Sequence, residues 1–419
     1  MARTKAALGA GARLSDYLSA SLLARVYPAD QITQILDEHQ VNSRRIRDFP
    51  ALAATYYCMA LSLYPEAAYE AVFAVVAQGL AWTQGGNAAP TLAKSSISAA
   101  RAKVGFAPLM QLQERGCLPL CNRVDHPHAF YAGLRLVAID GSNVDVPDEA
   151  ENAREFGYPG SRTGHAGYPQ AQCAVLVECA SHAILGAELG AYRLSERSLC
   201  EPLLDRLTVG MLCLADRGFD SYTHWQRASQ QGAALLWRCK ATRQLPVVKT
   251  LADGSYLSVI YPAAQRKKPH AKRAGAITLR VIDYPLPGTV HGHLSPVRET
   301  RYRLITTLLD PVPAPALELA TLYHERWEVE AVFDELTPNR GQETHLAARR
   351  RVLRSKTPNG VRQEFYGWVL AHYAVCWLMH AAASKARLEQ RTRSFTGHVH
   401  LMRRAQPRSG AFPPNATQA

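Results

Sequence analysis

Three acidic side chains have the chemical type and the setting to hold a divalent metal ion. Asp140 and Asp216 follow short apolar runs, 134–139 and 211–215, that are typical of buried strands, and Glu330 lies on a later segment of good helix formers. Acids at the carboxyl ends of strands in one sheet can converge, and a helix packed against that sheet can add a third. Three carboxylates repel one another unless a cation neutralises them, and hard oxygen ligands favour Mg²⁺ or Mn²⁺.

A site of this kind suits phosphoryl transfer. Two ions about 3.5–4 Å apart can activate a water or a 3′-hydroxyl and stabilise the leaving oxygen of an in-line displacement. Each acid taken singly is weak evidence, because an Asp before a Gly is usually a turn residue. Asp145 and Asp148 are alternative ligands in the following segment, and Glu328 competes with Glu330 although it faces a different side of the predicted helix.

The segment that carries Glu330 adds a phenol and a guanidinium. Residues 322–336 contain neither Gly nor Pro and predict one helix. Tyr323, Arg326 and Glu330 are three and then four residues apart, so they share one helix face. Such a face can hold a metal ion and a phosphate together. The alternative is a solvated face with ordinary ion pairs.

The elements before these acids change in character near Tyr131. Apolar spacing predicts helices over 21–37, 50–63, 69–82 and 91–104. The last of them carries Lys94, Arg101 and Lys103. This helical part is therefore either a small DNA-binding module or a cap that packs on the rest of the chain.

After Tyr131, strands and helices alternate. Strands are predicted over 134–140, 170–179, 183–189, 211–215 and 234–240, with a turn at Gly141-Ser142, and helices over 194–207 and 221–231. This order predicts a mixed α/β sheet. Four further strand patterns without helices (247–251, 256–261, 276–284 and 300–308) predict a β insertion, and a long apolar helix follows over 361–387.

Charge and cysteine usage restrict the class of partner. A formal net charge of +13 favours a polyanion such as nucleic acid. A membrane is disfavoured because Pro65, Glu66 and Glu70 interrupt the most apolar region. Cys117 and Cys121 have no second Cys/His pair at zinc-finger spacing, so we expect buried reduced thiols in a cytoplasmic protein.

Three motifs together resemble the DDE transposases of the insertion-sequence-4 family, most closely the group found in actinobacteria. They are Asp140-Gly141-Ser142, Asp216-Arg217-Gly218-Phe219, and Tyr323-x-x-Arg326-Trp327-x-x-Glu330-x-x-Phe333. The second and third motifs together are highly specific. The likeness runs through nearly the whole chain, including 22–28 and 94–101 in the helical part and 352–358 near the other end.

The resemblance implies an RNase H-like α/β catalytic core that is interrupted by a β-strand insertion and preceded by a helical N-terminal domain. The expected divisions are 1–125 (helical, DNA-binding), 126–240 (first part of the core), 241–316 (insertion), 317–390 (second part of the core) and 391–419 (basic, partly disordered tail).

The resemblance also implies the chemistry. Asp140, Asp216 and Glu330 become catalytic ligands of a two-ion Mg²⁺ or Mn²⁺ site. Tyr323 and Arg326 become contacts to transposon-end phosphates, and further DNA-binding residues are expected at Arg217, Arg354 and Lys356. The family activity is cut-and-paste transposition, often through a hairpin, by a nucleoid-associated homodimer that binds double-stranded inverted repeats and target DNA.

One departure from the family pattern leaves open an alternative to an active transposase. The Lys expected seven residues after Glu330 is Thr337, and Pro338 follows it. Arg340 could replace the lost cation, but Pro338 is expected to end the helix first. The chain could then be an inactive or weakened copy that only binds DNA. An RNase H-like, structure-specific nuclease without strand transfer is the other alternative.

Overall fold

The structure is a computed structural model that describes residues 22–44, 49–64, 67–83, 91–161, 164–165, 167–240, 242–265, 268, 274–285, 301–336 and 352–386. Thr337 and the predicted tail 391–419 lie outside the described residues.

The N-terminal part is helical, as the sequence predicts. Its helices are α1 (Ala29–Glu38), α2 (Ala51–Leu63), α3 (Tyr69–Thr83), α4 (Lys94–Val104) and α5 (Ala107–Gly116). The prediction of one helix over 21–37 is wrong, because residues 22–26 form a separate helical turn and α1 begins only at Ala29. Pro28 is the N-cap of α1. A proline disfavours helical geometry at the preceding residue but fits the start of a helix.

The rest of the described chain is built on one large mixed sheet. Its strands are β1 (Phe130–Tyr131), β2 (Leu134–Asp145), β5 (Gln170–Glu178), β6 (Ile184–Ala191), β7 (Met211–Ala215), β8 (Ala234–Cys239), β9 (Lys249–Thr250), β10 (Tyr256–Ile260), β11 (Ile277–Pro285) and β12 (Arg301–Thr306). A separate hairpin is formed by β3 (Gly160–Ser161) and β4 (Gly164–His165). The strand order is β6-β5-β2-β7-β8-β12-β11-β10-β9, with β1 beside β2. Strands β2, β7 and β8 are parallel, and the other pairings are antiparallel.

Six helices accompany this sheet: α6 (Ala150–Phe156), α7 (Glu196–Leu204), α8 (Tyr222–Gln230), α9 (Ala316–Leu322), α10 (Glu328–Leu336) and α11 (Pro358–Ala386). Helix α7 packs on β2, β5 and β6, and α11 packs on α2, α5 and β6. None of the helices in the described ranges is long and apolar enough to cross a membrane.

Strand β2 is longer than the sequence indicates. The predicted turn at Gly141-Ser142 is wrong, because β2 continues to Asp145 and pairs with β5 from Val137 onward. The parallel pairing with β7 stops earlier, at Ile139 opposite Ala215. Asp140 therefore lies within β2 rather than at its end, at the position where β2 loses its parallel neighbour.

The strands between 241 and 316 continue the same sheet. β12 pairs with β8, and β11, β10 and β9 follow outward. The fully buried Arg280 joins these strands to the next helix: its guanidinium donates to the carbonyl of Ala314 at 2.6 Å and forms an ion pair with Asp253. Asp253 also accepts the backbone N–H of Ala316 at 2.8 Å. The start of α9 is thus fixed to the outer strands.

The N-terminal helices are held to the core by close packing of α11 on α2. A Cβ atom added at Gly367 would lie 2.5 Å from the backbone oxygen of Cys58. Only a glycine permits this approach, because a backbone oxygen cannot move aside as a flexible side chain can.

Gly367→Ala is expected to lower the free energy of unfolding by about 1–3 kcal/mol, the usual cost of an extra methyl group in a packed core. Denaturant unfolding of the whole chain measures this change. Gly167→Ala is the control, because no described atom lies within 4 Å of an added Cβ there. Equal stability of the two variants would contradict the close packing of α11 on α2.

Candidate active site

The register of two parallel strands places Asp140 beside Asp216. Ile139 of β2 is paired with Ala215 of β7, and each acid is the next residue on its strand. Adjacent strands lie about 4.8 Å apart, so the two backbones are neighbours at this point. Both acids line an open cavity of about 440 Å³ whose other lining residues are Gly141, Ser142, Arg238, Arg326, Trp327 and Phe333. The structure therefore brings together two of the three predicted metal ligands.

The helix predicted over 322–336 is interrupted where it meets these acids, so the prediction of one continuous helix is wrong. Residues Tyr323–Trp327 form a 3₁₀ segment between α9 and α10. In a 3₁₀ helix, residues three apart lie almost directly above one another, and such a segment within a helix often marks a functional site. Tyr323 and Arg326 are both buried there. Glu330 follows on α10, and its side chain lies outside the described residues.

The side chain of Tyr323 packs inside the protein in this structure. Its side chain is almost completely buried, and its hydroxyl donates a hydrogen bond of 3.2 Å to the carbonyl oxygen of Ala215. Burial raises the pKa of this phenol well above its usual value, so it remains a donor. The contact ties the 3₁₀ segment to the residue before Asp216. Its contact with DNA stays a prediction.

Arg326 forms an ion pair with the first acid. Its Nη1 atom lies 3.1 Å from Asp140 Oδ2, and its side chain is only 6% exposed. Burial raises the pKa of Asp140 to about 6, and the charges of Glu196 and Asp216 act in the same direction. The N–H of Gly141 and the charge of Arg326 oppose this rise. The ion pair therefore only partly offsets the cost of burying Asp140 as a carboxylate.

The carboxylate of Asp216 lies near a second arginine. Its Oδ1 atom is buried and accepts no hydrogen bond from the described residues. The guanidinium of Arg238 is near it, with 3.6 Å between Nη1 and Oδ1, and stacks on the ring of Tyr302 at 3.9 Å from its centroid. Sequence reasoning missed Arg238. The available signal is a charged residue within the buried strand β8.

Glu196 is a further carboxylate that sequence reasoning missed. It is the first residue of α7, and a Cβ atom added at Gly141 would collide with its carboxylate. A Cβ atom at Gly218 would lie 3.5 Å from its Oε2 atom. Glu196 thus lies between the segments that follow Asp140 and Asp216. Its pKa is raised, first by burial and then by the charge of Asp216. The two glycines are visible in the sequence, but their common neighbour is not.

The competing acids lie in other surroundings. Glu328 Oε2 is 2.8 Å from His182 Nε2, which agrees with the prediction that Glu328 does not share the face of Tyr323 and Arg326. Asp145 accepts a hydrogen bond of 2.7 Å from Gln170, and Asp148 accepts one from Tyr158. Among the side chains that the structure describes, no group of three His, Cys, Asp or Glu residues is placed to hold a metal ion.

The predicted DNA-binding residues fall in two places. In the first place, Arg217 is exposed and follows Asp216, which lines the same cavity as Arg326, and Tyr323 contacts Ala215. Arg354 and Lys356 line a second cavity near the start of α11.

Two known protein families match parts of this chain. A family profile described as "Transposase DDE domain" matches residues 131–373, and one described as "Insertion element 4 transposase N-terminal" matches residues 18–114. The chain belongs to the DDE transposase family, in its insertion-element-4 group. The family expected from the three motifs is thus confirmed.

Two relatives from Escherichia coli (strain K12) are similar to this DDE-family chain. The transposase InsG for insertion sequence element IS4 is 28% identical over 306 residues, a match that covers 69% of this chain and 62% of that relative. The putative transposase InsZ is 29% identical over 216 residues, covering 46% of this chain and 69% of the relative. A cryo-EM structure of the piggyBac transposase synaptic complex with hairpin DNA aligns with 96% of this chain and 73% of that chain at 9% identity. Its TM-score of 0.40 does not establish a shared fold.

Titration of Asp140 is expected to make metal-free stability depend on pH. Because its pKa is raised to about 6 in the folded state, its contribution is present below about pH 4 and is lost as the pH rises through 6. Relative to Asp140→Asn, the wild type should lose roughly 2–3 kcal/mol of unfolding free energy between pH 4 and pH 8. Chemical denaturation with a chelator present measures both proteins. Parallel pH profiles would contradict the raised pKa.

Proposed function

We propose that this chain is the transposase of an insertion sequence, which cleaves DNA at the element ends and joins the freed ends to target DNA. The observation that carries the proposal is the juxtaposition of Asp140, Asp216 and Arg326 around one open cavity, within the segment that matches the DDE domain. The curated relative InsG is described as a transposase for an insertion sequence element, and the match spans 62% of its length.

The core that we propose for this activity is RNase H-like. Its support is the strand order β6-β5-β2-β7-β8, in which an antiparallel hairpin edge adjoins three parallel strands, with α7 and α8 as connections. Strands β9–β12 would be the insertion that precedes the helix carrying Glu330. The contacts of Arg280 with Asp253 and Ala314 give this insertion a structural role, because they fix the start of α9.

The residues fit a divalent cation with oxygen ligands, and we propose Mg²⁺ or Mn²⁺ in a two-ion site. Asp140 and Asp216 supply carboxylates on adjacent strands, and the Oδ1 atom of Asp216 is buried and accepts no hydrogen bond from the described residues. Glu330 is proposed as the third ligand. Bound there, the cations would polarise a water or 3′-hydroxyl and stabilise the leaving oxygen.

The basic residues then have distinct tasks. Arg326 balances the charge of Asp140 in the structure, and we propose that its guanidinium donates to a phosphate of the element end when DNA is bound. Tyr323 fixes the carbonyl of Ala215 and thereby the direction in which Asp216 leaves β7. Arg217 is exposed and follows Asp216, and we propose that it contacts the same DNA backbone.

The proposed partners follow from this chemistry. The substrates are double-stranded inverted repeats and target DNA, and the net charge of +13 suits such a polyanion. Synapsis of two ends calls for two active sites, so we propose a homodimer. The proposed place of action is the nucleoid in the cytoplasm.

Replacing a proposed metal ligand should strongly reduce the rate of DNA cleavage. With a duplex that carries the element's own ends and flanking DNA, Asp216→Asn and Glu330→Gln should each reduce the Mg²⁺-dependent cleavage rate at least about 100-fold, because charge stabilisation by a metal is worth several kcal/mol. Glu328→Gln is the matched control on the same helix and should retain activity, since Glu328 contacts His182. Full cleavage by Asp216→Asn would refute the assigned site.

Products of the same reactions separate the enzyme classes. A transposase joins the cut end to a second DNA, whereas a nuclease stops after cleavage. Thr337→Lys restores the cation that the family pattern contains and should raise end binding or cleavage. If both the wild type and Thr337→Lys cleave the DNA but join nothing, the transposase assignment is contradicted. If both proteins bind the DNA but neither cleaves it, the chain is an inactive copy.

A further inference from the structure

A second cavity lies between the N-terminal helices and the start of α11. Its volume is about 500 Å³, within the usual range for ligand sites. It is lined by the start of α3, by one side of α4, and by the segment 354–360. Among the described residues, four basic side chains line it, Lys94, Arg101, Arg354 and Lys356, against one acidic side chain, Glu70. The cavity is therefore electropositive and is formed jointly by two distant parts of the chain.

Tyr69 is at the centre of this basic group. Three cationic groups lie over its ring, with Arg354 Cζ at 4.4 Å, Lys94 Nζ at 5.4 Å and Arg101 Cζ at 5.6 Å from the ring centroid. The tyrosine hydroxyl contacts the carbonyl of Arg354 at 3.4 Å. An aromatic face attracts cations and holds them close together without neutralising them. Their charges thus remain available to an anion.

Buried contacts hold the segment that carries Arg354 and Lys356 in place. The carboxylate of Glu364 accepts the backbone N–H groups of Arg354 and Ser355, each at 3.0 Å. Arg101 donates to Ser355 Oγ at 3.1 Å and to Gln363 Oε1 at 3.0 Å. These contacts pre-organise the cavity wall, so that binding would order few side chains.

Two donor groups at the cavity have hydrogen-bonding capacity that the described residues do not use. One guanidinium nitrogen of Arg354, Nη2, donates to the carbonyl of Ala67 at 2.8 Å, whereas Nη1 is buried and has no hydrogen-bond partner among the described residues. Lys356 is 76% exposed, and its ion pair with Glu149 at 2.6 Å is a surface pair that contributes little. The N-terminal end of α11, a helix of 29 residues, adds its positive dipole at the same place.

The cavity is connected to the active site through β2. Leu353 donates its N–H to the carbonyl of Asp145 at 2.9 Å, at the end of the strand that contains Asp140. Five residues of extended strand span about 17 Å, which corresponds to about five base pairs of duplex DNA. Phosphates about five base pairs from a scissile phosphate at Asp140 are therefore the candidates to reach Arg354, which follows Leu353 and lines the cavity.

We infer that this cavity binds a backbone phosphate of duplex DNA about half a helical turn from the cleaved phosphate. The inference rests on the proposed function and adds a defined phosphate site that joins the N-terminal helices to the core. A phosphodiester would supply an oxygen acceptor for Arg354 Nη1 and for Lys94, and it would compete with Glu149 for Lys356. DNA bound there would bridge α4 and the start of α11.

Salt-dependent binding tests the site. The double variant Lys94→Gln/Lys356→Gln removes two exposed charges and leaves the buried contacts of Arg101 and Arg354 in place. Binding of an end duplex, followed by fluorescence anisotropy over a range of salt concentrations, should show a slope of log K against log salt that is smaller by about 1 per lost phosphate contact.

The matched control is Lys249→Gln/Lys385→Gln, which removes two exposed lysines that do not line the cavity. Lys385 lies near the opposite end of α11, about 40 Å from its start at 1.5 Å per residue. This control lowers the net charge equally, so a general electrostatic effect would change both slopes alike. We expect the salt slope to change for Lys94→Gln/Lys356→Gln only.

Lysine acetylation read by mass spectrometry gives an independent measure of contact. End DNA should protect Lys94 and Lys356 of the wild type several-fold, and should leave Lys249 and Lys385 reactive. Unchanged salt slopes together with full reactivity of Lys94 and Lys356 would overturn the phosphate site. If the wild type still cleaves its ends in that case, the proposed function stands without it, whereas a wild type that neither binds nor cleaves the duplex would overturn both.

Discussion

The concentration of negative charge at two adjacent strands is the constraint on which the rest of this structure depends. Parallel pairing of β2 with β7 places Asp140 and Asp216 side by side, and α7 brings Glu196 against the same backbone. Buried carboxylates this close are costly unless cations balance them: burial raises the pKa of Asp140 to about 6, and the charges of Glu196 and Asp216 add to this rise. Two arginines, Arg326 and Arg238, provide part of the balance. A divalent cation would complete it and would release Arg326 for a phosphate.

The surrounding elements can be understood as supports for those two arginines. Arg238 lies on β8, the next parallel strand. Arg326 lies on a 3₁₀ segment whose position is fixed on one side by the hydrogen bond from Tyr323 to Ala215, and on the other by α9. The start of α9 is in turn held by the buried pair of Arg280 and Asp253. The outer strands β9–β12 thereby contribute to the position of Arg326 in the candidate active site.

The local sequence pattern predicted the strands and helices whose formation depends on residues close together in the chain. The apolar run Met211–Ala215 gave its strand with correct bounds, and the strands after 240 were also found. The position of Asp140 within β2 was missed, because the length of β2 is set by pairing with β5. Glu196 and Arg238 were missed because only tertiary packing brings them to the acids. The 3₁₀ segment at Tyr323 is equally invisible, since its residues favour a helix of either kind.

Anomalous diffraction from crystals of the protein with Mn²⁺ and an uncleaved end duplex would locate the metal directly. We expect Mn²⁺ between the carboxylates of Asp140 and Asp216, coordinated also by Glu330, with Arg326 moved from Asp140 to a phosphate of the DNA. An anomalous map without a peak at these acids, with Arg326 still paired to Asp140 while the duplex is bound in the cavity, would contradict this expectation.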